Sequence, residues 1–264
     1  MDAVTSVPLP VNEPIRGYAP GTAERASLEE RLAELAGTQL DLTMTIDGEQ
    51  RLGGGEPIDV VQPHRHASVL GTTRDATAAD VQAAVDAALA AAPAWRATSY
   101  DDRAGVLLRA AELLSGPWRD TLNAATMLGQ SKTAIQAEID SACELIDFLR
   151  FNVAFGRQVL AEQPVSSPGV WNRMDHRPLE GFVLAITPFN FTAIAGNLPL
   201  APALMGNTVV WKPSPTQQLS AHFTMRLLEA AGLPPGVVNL VTGNGGAVSE
   251  VAVPHPELSG IHFT

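Results

Sequence analysis

The sequence contains a single cysteine, Cys143, among its 264 residues. One thiol cannot form an intrachain disulfide framework, and it cannot supply the cysteine pairs of a structural zinc site. A chain without disulfides is typical of a reducing compartment. The first residues also lack a basic segment followed by an apolar run, so no secretory signal is predicted. We therefore expect a cytoplasmic protein.

Basic residues are scarce, because 17 Lys and Arg stand against 28 Asp and Glu, which gives a formal net charge of −11. This acidic balance disfavours binding to nucleic acid or to an anionic membrane surface. It does not exclude a small anionic ligand, since one lysine and a few backbone N–H groups can hold a phosphate locally. Hydrophobic residues make up 45% of the chain, which predicts a buried core and argues against global disorder.

Charged residues are absent from the 31 residues 181–211. The stretch is long enough for a transmembrane helix, which needs roughly 20 mainly apolar residues. However, Pro199 and Pro202 would remove hydrogen bonds from such a helix, and Asn190 and Asn197 would be costly in hydrocarbon. We therefore expect no membrane span, and we interpret the stretch as part of a buried core.

The first half of the chain is predicted to be largely helical. Residues 1–60 contain a proline-rich arm, an amphipathic helix over 22–37 and a hairpin at Asp47-Gly48. Two capping boxes, at Thr77 and Ser99, open helices, and a long helix is predicted over 133–160. The apolar residues expected on one face of the long helix are Ile135, Ile139, Ala142, Ile146 and Leu149. Residues 163–181 form a proline-rich connection that could hold a short strand.

The second half of the chain alternates short β-rich runs with helical segments. The runs are GFVLAIT, TVVWK, GVVNLV and IHFT. This alternation predicts a Rossmann-like, doubly wound α/β fold with a parallel sheet, which we assign to residues 61–264. A parallel strand normally continues into a crossover, yet Thr264 ends the chain within the last run. We therefore expect an incomplete domain, truncated from a larger protein.

Three predicted strand ends carry residues suited to ligand binding, which occurs at the carboxyl ends of parallel strands. Asn190 in ITPFNF could cap the next helix, or its amide could donate to a developing oxyanion. Lys212 in WKPSPT could be a solvated strand end, or it could bond a ribose hydroxyl or a phosphate. The loop TGNGGA could face a pyrophosphate, although a simple glycine turn is favoured.

Two further features are not assigned to a site. Cys143 lies in the long predicted helix near Ile139 and Ile146, where a free cysteine is usually a small buried hydrophobe. His64 and His66 have no metal-ligand partners at suitable spacing, so we predict a polar loop there and no metal site.

Four motifs in order resemble the aldehyde dehydrogenase superfamily: TPFNF, GNTVVWKPS, AAGLPPGVVNLV and a terminal GIHFT. Longer runs resemble the branch that oxidises L-glutamate γ-semialdehyde to glutamate in proline catabolism. These runs are NEPIRGYAPGTAER, GQSKTAIQAEIDSACELIDFLRFN and LEGFVLAITPFNFTAIAGNLPLAPALMGNTVVWKPS. The resemblance covers almost the whole chain. It implies that the early strands belong to an oligomerisation arm and that the full-length protein is a homo-oligomer.

The resemblance also implies a mechanism and a set of residues. A cysteine thiolate attacks the aldehyde, hydride passes to NAD, and a water activated by a glutamate hydrolyses the thioester. By resemblance, Asn190 stabilises the oxyanion, Lys212 contacts the adenosine ribose, and Ser214 lies beside it. The other matched positions are Ile186, Thr187, Pro188 and Phe189 along the cofactor, Gly245 near the pyrophosphate, and Phe191 and Glu138 toward the substrate chain and its ammonium group.

The sequence departs from the family pattern in two places. The nucleophilic cysteine and the glutamate base follow an FTGS motif in the family, whereas this chain ends at FT, and Cys143 does not match the nucleophile. Pro215 follows Ser214 where many members hold the ribose with an acidic residue. We therefore expect a cofactor-binding part without the means to turn over. A non-catalytic nucleotide-binding or assembly fragment, or an aldehyde dehydrogenase of other specificity, is the alternative.

Overall fold

The structure is a computed structural model that describes residues 7–264. The helices are α1 (Ala23–Gly37), α2 (Ala78–Ala97), α3 (Tyr100–Ser115), α4 (Arg119–Gln130), α5 (Ala134–Ala137), α6 (Leu145–Ala161), α7 (Thr192–Leu204), α8 (Gln218–Ala230) and α9 (Gly245–Ala252). The strands are β1 (Leu40–Asp41), β2 (Met44–Ile46), β3 (Glu49–Arg51), β4 (Pro57–Gln62), β5 (Arg65–Arg74), β6 (Phe182–Thr187), β7 (Thr208–Pro213), β8 (Val238–Leu240) and β9 (Leu258–Phe263). Within residues 7–264, no helix combines the length and apolar character that crossing a membrane requires.

The main sheet has six strands in the order β3-β2-β8-β7-β6-β9. The last four pair in parallel, and β2 and β3 extend the sheet in antiparallel fashion at one edge. In chain order, β6, β7, β8 and β9 are the first to fourth parallel strands, and across the sheet they lie in the order 3-2-1-4. The strand order of dinucleotide-binding sheets contains the same arrangement. The predicted α/β class is confirmed, with a mixed rather than purely parallel sheet.

The charge-free stretch begins with β6, whose alternate residues face two separate cores. Val183 and Ala185 pack with residues of α3, α6, α7 and α8. Phe182 and Leu184 pack on the opposite face with residues of α2 and α9. Side chains point to opposite faces in a strand, so a strand covered on both faces must be apolar throughout. This explains why the run carries no charge.

The long predicted helix is interrupted by a π-helical segment, Glu138–Glu144, between α5 and α6. The wider π turn rotates the residues before it relative to those after it. Ile135 and Ile139 are consequently 46% exposed, whereas Ile146 is buried. The prediction that these residues share one buried face is wrong for Ile135, which precedes the π segment, and for Ile139, which lies within it.

Residue 60, the predicted boundary between the two parts of the chain, lies inside β4. The hairpin at Asp47 joins the main sheet, where Thr45 pairs with Leu240. In the segment predicted as a polar loop, His64 lies in a turn, whereas His66 belongs to β5. Residues 162–181 contain no strand, so the connection is irregular.

Candidate functional site

Asn190 lies in the turn between β6 and α7, and its side chain is exposed. Its amide makes no hydrogen bond to any other described residue, and it does not cap α7. The backbone N–H groups of Thr192 and Ala193 donate instead to the Asp140 carboxylate, both at 3.2 Å. Because the capping function belongs to Asp140, the Asn190 amide is available to a ligand.

A small cluster around Asp140 fixes the turn that carries Asn190. Lys132 Nζ lies 2.5 Å from Asp140 Oδ2 and 4.2 Å from the centre of the Phe191 ring. The Thr192 hydroxyl is 2.8 Å from that of Thr126 on α4. Sequence reasoning missed Lys132 and Asp140, because no local pattern indicates that the π segment reaches the start of α7.

Lys212 lies at the end of β7, directly beside Ile186 of β6 in the parallel register. It is only 7% exposed, and its ammonium group has no hydrogen-bond or ion-pair partner among the described residues. Burial lowers the pKa of Lys212. An ordered ammonium without a partner is costly, and a ligand hydroxyl or phosphate would satisfy it.

The glycine loop before α9 brings Gly245 next to Lys212. A Cβ at Gly245 would lie 3.4 Å from Lys212 Nζ, so the lysine faces the first turn of α9. Asn244 caps the helix by accepting from Gly246 N at 2.7 Å. At Gly243, φ is +96° and a Cβ would meet Asp75, so this glycine is needed for the turn itself. The positive end of α9 and the lysine together favour an anionic or hydroxyl group.

The remaining predicted cofactor residues cluster at the same sheet edge. Thr187 is buried, and its hydroxyl accepts from Trp211 Nε1 at 2.9 Å, which joins the ends of β6 and β7. Ser214 follows β7, and its hydroxyl is 3.1 Å from that of Thr216. Pro188 and Phe189 continue from β6 toward Asn190, and the Phe189 ring is exposed. The carboxyl ends of β6 and β7 thus present one continuous surface.

Residues 51–264 match the aldehyde dehydrogenase family. The chain belongs to this family. It is 47% identical to the mitochondrial delta-1-pyrroline-5-carboxylate dehydrogenase of Emericella nidulans, over 99% of this chain and 46% of the relative. The mouse enzyme of the same name is 45% identical over 96% of this chain and 45% of the relative.

A solved structure of the delta-pyrroline-5-carboxylate dehydrogenase from Mycobacterium tuberculosis bound with NAD is closely similar. It is 65% identical, with a TM-score of 0.98, over the whole of this chain and 49% of that one. The 1-pyrroline-5-carboxylate dehydrogenase from Thermus with bound NAD has a TM-score of 0.86 at 30% identity, over 98% of this chain and 50% of that one. The chain therefore spans about half the length of these aldehyde dehydrogenases.

The structure does not bring Glu138 to the surface that carries Asn190. Its carboxylate is fully buried and accepts from Arg16 N at 2.7 Å and Tyr18 Oη at 2.7 Å. It also forms an ion pair with Arg119. Enclosed in this way, Glu138 connects the N-terminal segment to the helices.

Another acidic residue of the π segment, Glu144, lines a cavity of about 710 Å³ between the N-terminal segment and α6. Burial raises the pKa of Glu144, and the carboxylates of Asp140 and Asp147 add to the effect. Aromatic side chains of α6, including the exposed Phe155, form the apolar wall of the cavity. Glu13 and Asp147 also line the cavity. Glu13 pairs with arginines and Asp147 accepts from Glu13 N, so Glu144 is the lining carboxylate without a hydrogen bond to a described residue.

Cys143 is buried beside Glu138 and Arg119. Burial, reinforced by the Glu138 carboxylate, raises the pKa of Cys143 to about 12. A thiol in this state is not a nucleophile, in agreement with the interpretation of Cys143 as a buried hydrophobe. His64 Nδ1 lies 2.8 Å from Ser131 Oγ, and within residues 7–264 no group of three or more His, Cys, Asp or Glu side chains could hold a metal ion.

Proposed function

We propose that this chain is the cofactor-binding part of an aldehyde dehydrogenase that oxidises L-glutamate γ-semialdehyde to L-glutamate with NAD. The observation that carries the proposal is the carboxyl end of β6 and β7, where the exposed Asn190 amide and the buried Lys212 ammonium both lack a hydrogen-bond partner among the described residues. The relatives named for delta-1-pyrroline-5-carboxylate dehydrogenase, at 47% and 65% identity, support the substrate.

Lys212 and the first turn of α9 fit one end of the cofactor. The Lys212 ammonium would bond the adenosine ribose, with Ser214 beside it, and the N–H groups at Gly245 would lie along the pyrophosphate. The backbone from Ile186 to Phe189 would line the path to the reacting centre. When bound, NAD supplies the hydride acceptor for the aldehyde carbon.

Asn190 would act on the oxyanion that forms when a thiolate adds to the aldehyde. A neutral amide donates N–H groups without deprotonation, and the Asp140 cluster holds the turn so that little reorganisation is needed. Phe191 would flank the substrate chain, and its ring is held against Lys132. For the substrate ammonium we assign Glu144, which lines a cavity, in place of Glu138, whose carboxylate is enclosed.

The test is the Asn190→Ala substitution in the full-length protein, with turnover of glutamate semialdehyde and binding of NAD measured. We expect turnover to fall by about 10²–10³-fold, the usual loss for one oxyanion donor, with an unchanged Kd for NAD. Asn172→Ala, at an exposed asparagine of the connection before β6, serves as the matched control. Unchanged turnover in Asn190→Ala would contradict the assignment of Asn190 as an oxyanion donor.

Two alternatives are separated by further measurements. A ratio of kcat/KM that favours simple aliphatic aldehydes over glutamate semialdehyde would indicate a different aldehyde dehydrogenase. If Glu144 binds the ammonium, Glu144→Gln should raise KM for glutamate semialdehyde and leave KM for propanal unchanged. NAD binding without any aldehyde oxidation in the complete polypeptide would favour a non-catalytic nucleotide-binding or assembly role.

Homo-oligomerisation is part of the proposal, supported by the connection before β6, where Val165 is 91% and Trp171 79% exposed. Exposed apolar patches of this kind often mark protein contacts. Sedimentation velocity would test it, since a monomer at micromolar concentration contradicts it. A cytoplasmic location also remains a prediction, because several relatives, such as the mouse enzyme, are named as mitochondrial.

A further inference from the structure

A second cavity, of about 260 Å³, lies away from the sheet edge just described. It is bounded by the end of α2, the start of α3, the segment 176–179 and the loop after α7. Four of its lining residues are Arg96, Arg103, His176 and Arg177, and no Asp or Glu among residues 7–264 lines it. In a chain with a net charge of −11, such a concentration of basic groups requires an explanation.

Arg103 is the buried member of the group, with 8% of its surface exposed. Its Nε donates to Leu204 O at 2.9 Å, and its Nη1 donates to Thr98 O and to Trp95 O. These carbonyls lie at the ends of α2 and α7, where a cation is favourable. Among the described residues, the Nη2 group has no hydrogen-bond partner, and no carboxylate forms an ion pair with Arg103.

The wall that carries the other basic residues is held in place by hydrogen bonds. Arg96 Nη2 donates to Leu179 O at 3.0 Å, and Leu179 N donates to Asn207 Oδ1 at 2.9 Å. Asn207 is in turn bonded to Pro202 O at 2.9 Å. The segment with His176 and Arg177 is therefore anchored to both α2 and the loop after α7. Neither Arg96 nor Arg177 has an ion-pair partner among the described residues.

Capping of two helix ends explains Arg103, and the bond to Leu179 O occupies one N–H of Arg96, but neither accounts for His176 and Arg177. Guanidinium groups bind carboxylate and phosphate groups through paired N–H donors, and a concave site strengthens that attraction. We propose that this cavity binds a small anion that carries phosphate or several carboxylates. The volume exceeds that of one phosphate and is sufficient for a pyrophosphate or a small tricarboxylate.

The test is calorimetric titration of the chain with inorganic phosphate, pyrophosphate and citrate at constant ionic strength. The variants are Arg177→Gln and Arg96→Gln, and Arg103 is left intact because it caps two helices. Arg173→Gln is the matched control, since Arg173 belongs to the same connection but stacks on Trp171 at 5.6 Å and does not line the cavity.

We expect at least one of the three anions to bind, and each variant to weaken binding by about tenfold, as loss of one charge-assisted hydrogen bond does. Arg173→Gln should bind as tightly as the unaltered chain. Absence of binding by all three anions at millimolar concentration overturns the proposal, as does equal affinity in Arg177→Gln. If the variants instead change the oligomeric state and no anion binds, the groups pair with carboxylates of another chain, and the small-anion assignment is wrong.

Discussion

The carboxylate of Glu138 connects the N-terminal segment to the helical layer, and Glu138→Gln removes its charge without changing its shape. The carboxylate accepts from Arg16 N and Tyr18 Oη, both at 2.7 Å, and from Asn123 Nδ2 at 2.8 Å. It also pairs with the buried Arg119. The substitution leaves that guanidinium with a weaker partner inside the protein.

Two estimates of the unfolding free energy lost in Glu138→Gln agree. Removing one partner of a buried ion pair costs about 3–5 kcal/mol, and the lower end applies because Arg119 keeps Glu13 at 2.5 Å. Burial alone would raise the pKa of Glu138, but the bonds from Arg119, Arg16 and Tyr18 lower it from 4.5 to about 2. At about 1.36 kcal/mol per pH unit, this difference is also about 3 kcal/mol.

The pH dependence has a definite sign. The folded-state pKa lies below the unfolded one, so the stabilisation from Glu138 is complete above pH 4.5 and is lost as the pH falls toward about 2. Glutamine does not titrate. The difference in unfolding free energy between the two proteins should therefore be about 3 kcal/mol at neutral pH and should narrow below pH 4.5.

Urea denaturation of the unaltered chain and of Glu138→Gln, at pH 7 and at several lower pH values, measures this difference. In thermal unfolding, the same change should lower Tm by roughly 6–12 °C. Glu29→Gln is the control, because Glu29 pairs with Arg25 at 2.7 Å on the surface and should cost no more than about 0.5 kcal/mol. A loss below about 1 kcal/mol, well under the range for buried pairs, or a difference that does not narrow in acid, would refute the reasoning.

Three further outcomes are expected. Asp140→Asn should lower the free energy of unfolding by about 2 kcal/mol in urea titrations, because the half-buried Lys132 loses its partner; an unchanged midpoint contradicts this. Lys212→Met should weaken NAD binding by about tenfold or more in fluorescence titrations without lowering Tm, because the buried ammonium has no partner to lose. Cys143 should not react with Ellman's reagent at pH 8 in the folded chain and should react fully in guanidinium, because burial raises its pKa to about 12. Rapid labelling of the folded chain would contradict the buried assignment.

Local patterns predicted the elements that depend on neighbouring residues. Thr77 and Asp80 form the expected capping box at the start of α2, and the Ser99 hydroxyl accepts from Asp102 N at the start of α3. Asp47 and Gly48 both have positive φ, as the hairpin turn required. Each of these features needs only a few adjacent side chains to satisfy backbone groups, so the sequence shows them directly.

Contacts between distant residues were not predictable in this way. The hydrogen bond from Tyr18 to Glu138 joins residues 120 positions apart in the sequence, and that from Thr192 N to Asp140 joins residues 52 positions apart. Glu138 and Asp140 both lie in the π segment, which changes the direction of the side chains along the helix and has no recognised sequence signal. For this reason the resemblance alone suggested a substrate role for Glu138, and the structure assigned it to the internal network.

The sequence by itself determined the alternation of helices and strands, the burial of the charge-free stretch and the membership of the aldehyde dehydrogenase family. These follow from apolar periodicity, turn residues and motifs, all of which are local. Only the tertiary structure decided that Asp140 rather than Asn190 caps α7, and that Lys212 is buried without a partner. Hydrogen bonding and burial depend on which elements meet in space, and the strand order brought these residues together.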